Sequence, residues 1–202
     1  MTHPFSHPHR YPPKNDAALG LCTYAANLTY SDLPDNVVWT LKRIVLDTLG
    51  TILAANTLAD GIPELVQIAR ADGRNLPEST IVGFGDKAPA MMAALANGAM
   101  AHALNYDDFS EYGGHLGAST IPAALAVAQH RGGLSGKDFL VALAAGAEVL
   151  CRLGAAIAMT EDGASLTRPP RPLRIQLWGY FSAAVATGSV MNLTTRQMHT
   201  AL

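Results

Sequence analysis

Charge is what this chain has least of. Asp, Glu, Lys and Arg make up 15% of its 202 residues, against roughly a quarter in ordinary globular proteins. The formal net charge is −2. That gives no electrostatic case for nucleic acid or for an anionic membrane surface. Cysteine is nearly absent too: Cys22 and Cys151 stand alone inside apolar patterns. They exclude a disulfide framework and a zinc spacing, and fit free thiols in a reducing compartment, so a cytoplasmic protein is expected. The N-terminus carries no apolar run of the signal-peptide kind. No phosphate-binding glycine loop and no G-x-S-x-G elbow occurs. Neither a metal nor an organic cofactor is therefore expected. Alternating apolar and polar residues are scarce. Thr80–Phe84 is the one strand-like run, too short and solitary for a sheet.

What is present is alanine, glycine and helical periodicity. Apolar positions recur at three and four residues over Ala17–Thr29, Asp35–Ala55, Gly61–Ala71, Met91–Asn105, Ile121–Gln129, Phe139–Met159 and Trp178–Met191, which is the pattern of helices that bury one face. Thr194 or Thr195 caps a final one. The expected fold is all-α, with about seven or eight helices. Ser135 and Asp138 resemble a capping box. Phe139–Met159 is apolar enough to raise a membrane span. Glu148 and Arg152 argue against it, because a four-residue spacing with the acid first lets them pair on one helix face. The small residues around Gly146 and Gly154 suggest close packing on neighbouring helices instead. Residues 1–16 hold four prolines and three histidines and read as a flexible arm. Residues 17–202 read as one helical domain. Thr160–Leu173, rich in Pro and Arg, reads as a loop.

Polar residues concentrate in one place, Asn97 to Pro122. His102, Asn105, Asp107, Asp108, Ser110, Glu111 and His115 fall between two Ala-rich flanks, and a polar cluster in apolar surroundings is where chemistry is sought first. On a continuing helix His102, Asn105 and Phe109 share a face. Asp107 and Asp108 end that helix, where the dipole disfavours negative charge, so each wants a partner. Gly113 and Gly114 break the helix. His115 then lies on a turn, and Pro122 suits the first turn of the next helix. His102, on an Ala-rich face, reads mainly as a core histidine. Arg168, Arg171 and Arg174 can clamp carboxylates.

The same stretch resembles the MmgE/PrpD family, whose members include 2-methylcitrate dehydratase, cis-aconitate decarboxylase and iminodisuccinate epimerase. The matching residues are Asn97-Gly98, His102-Ala103-Leu104-Asn105-Tyr106-Asp107-Asp108, His115-Leu116-Gly117-Ala118 and Ile121-Pro122-Ala123-Ala124-Leu125. Leu33–Val38, Leu46–Gly50 and Ala145–Gly154 are similar to other family helices. The resemblance implies a multi-helix MmgE/PrpD-type domain, incomplete at Leu202 before the family's second, smaller domain. It implies His115, Asn105 and Asp108 in catalysis, and Asp107, His102, Phe109 and Arg174 at the substrate. Asn105 stands where the family has Asp, Phe109 where it has Thr. A histidine expected shortly before the Trp178 helix is missing.

Three functions are compatible with these residues. The first is a lyase, a dehydratase or decarboxylase acting on a small di- or tricarboxylate by cofactor-free acid–base chemistry. The second is an epimerase or isomerase of the same family, which needs proton removal and return but no leaving group. The third is a non-catalytic or half-site subunit completed by a partner chain. The scarcity of charge on small-residue helices favours a homodimer or a complementing subunit.

Overall fold

The computed structural model describes residues 16–73, 76–159 and 171–202, and among these the side chains of all but 72–73, 157–159 and 171–177. The arm before residue 16, the expected loop at 160–170 and the side chain of Arg174 lie outside the described residues. Eight α-helices account for most of the rest. They are α1 (Ala17–Asn27), α2 (Asp35–Leu58), α3 (Ile62–Gly73), α4 (Ala90–His102), α5 (Leu116–Arg131), α6 (Gly136–Met159), α7 (Arg171–Val190) and α8 (Thr195–Ala201). The all-α expectation holds.

Several boundaries differ, each for a local reason. The strand expected at Thr80–Phe84 is two short ones, β1 (Ser79–Thr80) and β2 (Lys87–Ala88), paired antiparallel. Ile81 to Phe84 turns back between them, with Gly83 and Gly85 at positive φ. The buried Asn97 side chain holds this hairpin to α4, accepting from the Val82 amide and donating to the Thr80 carbonyl, both at 2.9 Å. Helix α7 begins at Arg171 rather than Trp178, so residues 171–173 of the expected loop Thr160–Leu173, and Arg174 after them, belong to a helix. Helix α4 stops at His102 rather than Asn105. Asn105 takes φ 52°, a left-handed conformation that Asn tolerates better than most residues. The expected shared face of His102, Asn105 and Phe109 therefore does not form.

Three adjoining cores hold the helices. One joins the C-terminal half of α2 to α3, the hairpin and α4 through Ile52, Val66, Ile81 and Met100. A second joins α2, α5, α6 and α7 through Leu41, Ile121, Leu143 and Val190. The third closes α1 and α8 onto α6 and α7 through Cys22, Val149, Val185 and Met198. Each large aliphatic side chain so buried contributes about 1.5–3 kcal/mol. The 21 residues Gly136–Ala156 are long and apolar enough to cross a membrane by composition alone. In the fold they form a core helix, in contact with α1, α2, α5 and α7. Small residues set the helix spacing. A Cβ on Gly146 would come within 2.9 Å of the Ser182 carbonyl and 3.1 Å of Ala186 Cβ, so α6 and α7 approach as closely as they do only because that atom is missing.

Candidate active site

The site is built where α4 ends and α5 begins. His102 closes the last turn of α4. The chain then crosses Ala103 to Gly114 and re-enters a helix with His115 at its N-cap. Ser110 and Gly114 pair through reciprocal backbone hydrogen bonds of 2.9 and 2.8 Å, which tightens the crossing. Pro122, expected in the first turn of α5, lies deeper inside the helix. It has no N–H for the carbonyl a turn earlier. That carbonyl, Ala118, faces α4, where Gly98 leaves room: a Cβ there would sit 3.5 Å away.

Asp107 is the centre of the arrangement. Its carboxylate is closed to solvent and lies 3.0 Å from His102 Nδ1 and 3.1 Å from His115 Nδ1. The His102 contact is a hydrogen bond to both oxygens, at 3.0 and 3.1 Å. The His115 contact is close but off line for a hydrogen bond, and no other partner among the described residues reaches that buried nitrogen. A carboxylate can only accept, so at His102, where the hydrogen bond forms, a neutral ring holds its proton on Nδ1 and turns a bare Nε2 the other way. The rings meet edge to face with centroids 4.5 Å apart. His102 side-chain exposure is 40% and that of His115 is 18%, so both remain reachable while Asp107 does not. In this arrangement Asp107 is closed to solvent and faces both histidines.

Asp108 turns the other way. Its Oδ1 accepts the Gly117 amide at 2.8 Å, satisfying a free N–H in the first turn of α5. Its own amide donates to Asp47 Oδ2 at 3.1 Å. Burial pushes the Asp108 carboxyl above the usual carboxylate range; the Gly117 amide opposes this, and the charges of Asp107 and Asp47 add to it. Asp108 thus secures the loop, and Asp47 secures it from α2.

The remaining sequence candidates separate. Phe109 stacks edge-on against His115 with centroids 5.4 Å apart, although it is largely exposed. Asn105 and its neighbour Tyr106 are exposed on the crossing. Ser110 lies near Cys151, whose thiol burial pushes above its ordinary range. His102 and His115 line a cavity of about 280 Å³ together with Gly98, Ala118, Ser119, Gly179, Tyr180 and Ala183. Ser119, Gly179 and Tyr180 were not singled out from the sequence. Gly179 is small because Ser119 lies against it: a Cβ there would come within 2.8 Å of Ser119 Cβ. No Lys or Arg is among the described residues lining this cavity. Among the described residues the groups able to face an anion are the two imidazoles and the Tyr180 hydroxyl; the Ser119 hydroxyl donates back to the His115 carbonyl at 3.2 Å.

The ligand atoms of His102, Asp107 and His115 lie within 4.8 Å of one another, a donor set compatible with a divalent transition metal. The hydrogen bond between His102 and Asp107 gives those atoms a second explanation. A separate cavity of about 530 Å³, lined by Tyr30, Arg131, Asp138 and Asn192 among others, contains no histidine and lacks this chemistry.

Comparison with known proteins places these residues in a lineage. Residues 20–202 match the MmgE/PrpD N-terminal domain. The chain is 28% identical over 196 residues to cis-aconitate decarboxylase of Aspergillus terreus, covering 94% of this chain and 38% of that protein. It is 28% identical over 180 residues to human cis-aconitate decarboxylase, covering 87% and 36%. It is 30% identical over 154 residues to the cis-aconitate decarboxylase-like protein oryM of Aspergillus oryzae, covering 72% and 31%. The chain therefore spans under two-fifths of the length of these curated relatives. With the family's polar stretch folded into one His–Asp–His cluster, the chain belongs to the MmgE/PrpD family and carries its N-terminal helical domain.

Proposed function

We propose that this chain is the helical part of a lyase that removes water or carbon dioxide from a small di- or tricarboxylate by acid–base chemistry. The observation that carries the reading is His115: its Nδ1 faces the buried Asp107 and its ring lines the cavity. With Nδ1 protonated, Nε2 takes a proton from a carbon next to a carboxylate where water is to leave; where carbon dioxide leaves, the imidazolium form supplies the proton that replaces it. The carbanion's charge spreads into that carboxylate, and Asp107 offsets the imidazolium that forms. The substrate class comes from the relatives' names and from the cavity, whose polar groups suit a small anion. The relatives are much longer than this chain, and the activity of the whole protein is part of the proposal.

A second reading has its own support. Two imidazoles on one cavity suit an epimerase, in which a proton leaves and returns without a leaving group. Asn105, in place of the family's Asp, removes one carboxylate a lyase could use.

The test is turnover of cis-aconitate, 2-methylcitrate and iminodisuccinate by the purified protein and by His115→Ala. The variant should lose about 10²–10⁴-fold with its helical circular dichroism unchanged. Equal turnover by wild type and variant would place the chemistry elsewhere. If neither binds nor converts any of the three, a non-catalytic or half-site subunit becomes the better description.

A further inference from the structure

We infer that His102 is a second proton-transfer residue, working opposite His115 on the same substrate, and not a core histidine. The inference rests on the acid–base reading of the cavity given above and adds a residue to it. Four observations converge. His102 is 40% exposed, which is not how a histidine buried for packing behaves. It lines the 280 Å³ cavity beside His115, and also a wider, contiguous opening of about 610 Å³ bordered by Leu95, Ala99, Ala103 and Tyr180. Its Nδ1 is engaged by both oxygens of Asp107, which leaves Nε2 as the free nitrogen. Among the described residues, the ring that stacks against it is the other candidate base, 4.5 Å away.

The shared carboxylate explains why two histidines serve better than one. Asp107 is closed to solvent and lies against both rings. An acid–base reaction needs one ring neutral and the other charged at its start. One carboxylate offsets one imidazolium, while a second cation at the spacing of these rings meets like-charge repulsion. The neutral ring's Nε2 forms an N–H bond as the substrate C–H bond breaks, and the electron pair stays on carbon, delocalised into the adjacent carboxylate. The charged ring's Nε2–H bond breaks as its proton moves to the departing hydroxyl, which leaves as water, or to the opposite face of the carbon in an epimerisation. In a decarboxylation no C–H bond breaks: the pair of the C–C bond stays on the substrate as carbon dioxide leaves, and the charged ring supplies the one proton taken up. After a dehydration or an epimerisation the two rings have exchanged charge states, after a decarboxylation the charged ring has given up its proton, and exchange with water through the exposed edge of His102 resets them. No metal and no other co-reactant enters this balance.

The experiment separates His102 as a reacting group from His102 as a support for Asp107. In His102→Asn the side-chain amide N–H occupies the place of Nδ1–H, so the hydrogen bond to Asp107 is kept while Nε2 is lost. In the full polypeptide this variant should unfold at the wild-type temperature, bind cis-aconitate with KM within about twofold, and lose about 10²-fold or more in kcat. A folded His102→Asn with wild-type kcat, beside an inactive His115→Ala, overturns the inference and leaves the proposed function standing. A second measurement needs no substrate. Long-range proton–nitrogen correlation spectra of the uniformly ¹⁵N-labelled protein should show the neutral forms of His102 and His115 with the proton on Nδ1. In Asp107→Asn, whose amide can accept from only one ring, one of the two should switch to Nε2–H. A His102 found as Nε2–H in the wild type overturns the inference whatever the activity, and if no polycarboxylate is converted this spectrum alone decides it.

Discussion

The Asp108 carboxylate accepts the Gly117 amide at 2.8 Å, so a residue from the crossing loop caps the helix that the same loop leads into. This closes Asp107 beneath the two histidines. It also fixes a charge where burial, Asp107 and Asp47 all oppose it. A carboxyl raised above its unfolded value makes the native state bind more protons than the unfolded state. Stability from this group therefore grows as the pH falls through the raised folded value towards the ordinary carboxylate value near 4.

Asp108→Asn keeps an oxygen for Gly117 and discards the charge. The variant should be at least as stable as wild type at pH 7, with an advantage that shrinks towards pH 4. Thermal melts across that range check it, and a destabilised variant at pH 7 would show that the cap depends on the ionised form.

Gly154 of α6 lies against the crossing loop, where an added Cβ would overlap the Tyr112 carbonyl. Ala is the better helix former by about 1 kcal/mol, yet overpacking of this kind costs typically 1–3 kcal/mol. Gly154→Ala should melt below wild type and lower turnover. Gly50→Ala, where no atom lies within 4 Å of the added Cβ, is the control and should not melt lower.

Asn105→Asp restores the residue that the family carries. The position is exposed and left-handed, which Asp also tolerates, so stability should change by less than about 0.5 kcal/mol. Turnover of cis-aconitate should rise. An active, folded variant with unchanged rate would remove residue 105 from the reaction.

The long helix α2 leaves Trp39, Leu46 and Leu53 largely exposed, each seven residues from the next and so on one stripe. We propose that a second copy covers this stripe. Light scattering at micromolar concentration should report a dimer, and Leu46→Glu should give a folded monomer. A wild-type monomer would refute the proposal.

The helices were legible because their apolar faces repeat at helical spacing, and because Pro34, Ser135 and Thr194 mark their starts. The Glu148–Arg152 pair was legible for the same reason and forms as expected. The site was legible in its membership and not in its roles. Gly113 and Gly114 placed His115 on a turn, but the next helix was expected only from Ile121, whereas α5 starts at Leu116; and periodicity carried α4 on to Asn105, because nothing in Ala103-Leu104 marks a stop. That one extra turn put Asn105 and Phe109 on a face with His102 and hid the convergence of two histidines on Asp107. Contacts such as Asp107 with His102 and Asp108 with Gly117 depend on a chain reversal that spacing does not encode. Ser119 and Tyr180 escaped notice because a cavity wall is defined by what lies across from it.

The glycines at 113 and 154 have a consequence for anyone wishing to redirect this enzyme family. A Cβ at Gly113 would collide with Leu150, and one at Gly154 with the loop backbone. The crossing loop is thus laid flat on α6 and has no room to be remodelled by insertion of side chains from beneath. Variation in what the cavity accepts has to come from its far wall on α7, at Tyr180 and Ala183, which do not belong to the loop. A mutational library confined to those two positions should retain foldable members at a higher frequency than one spread along the motif itself.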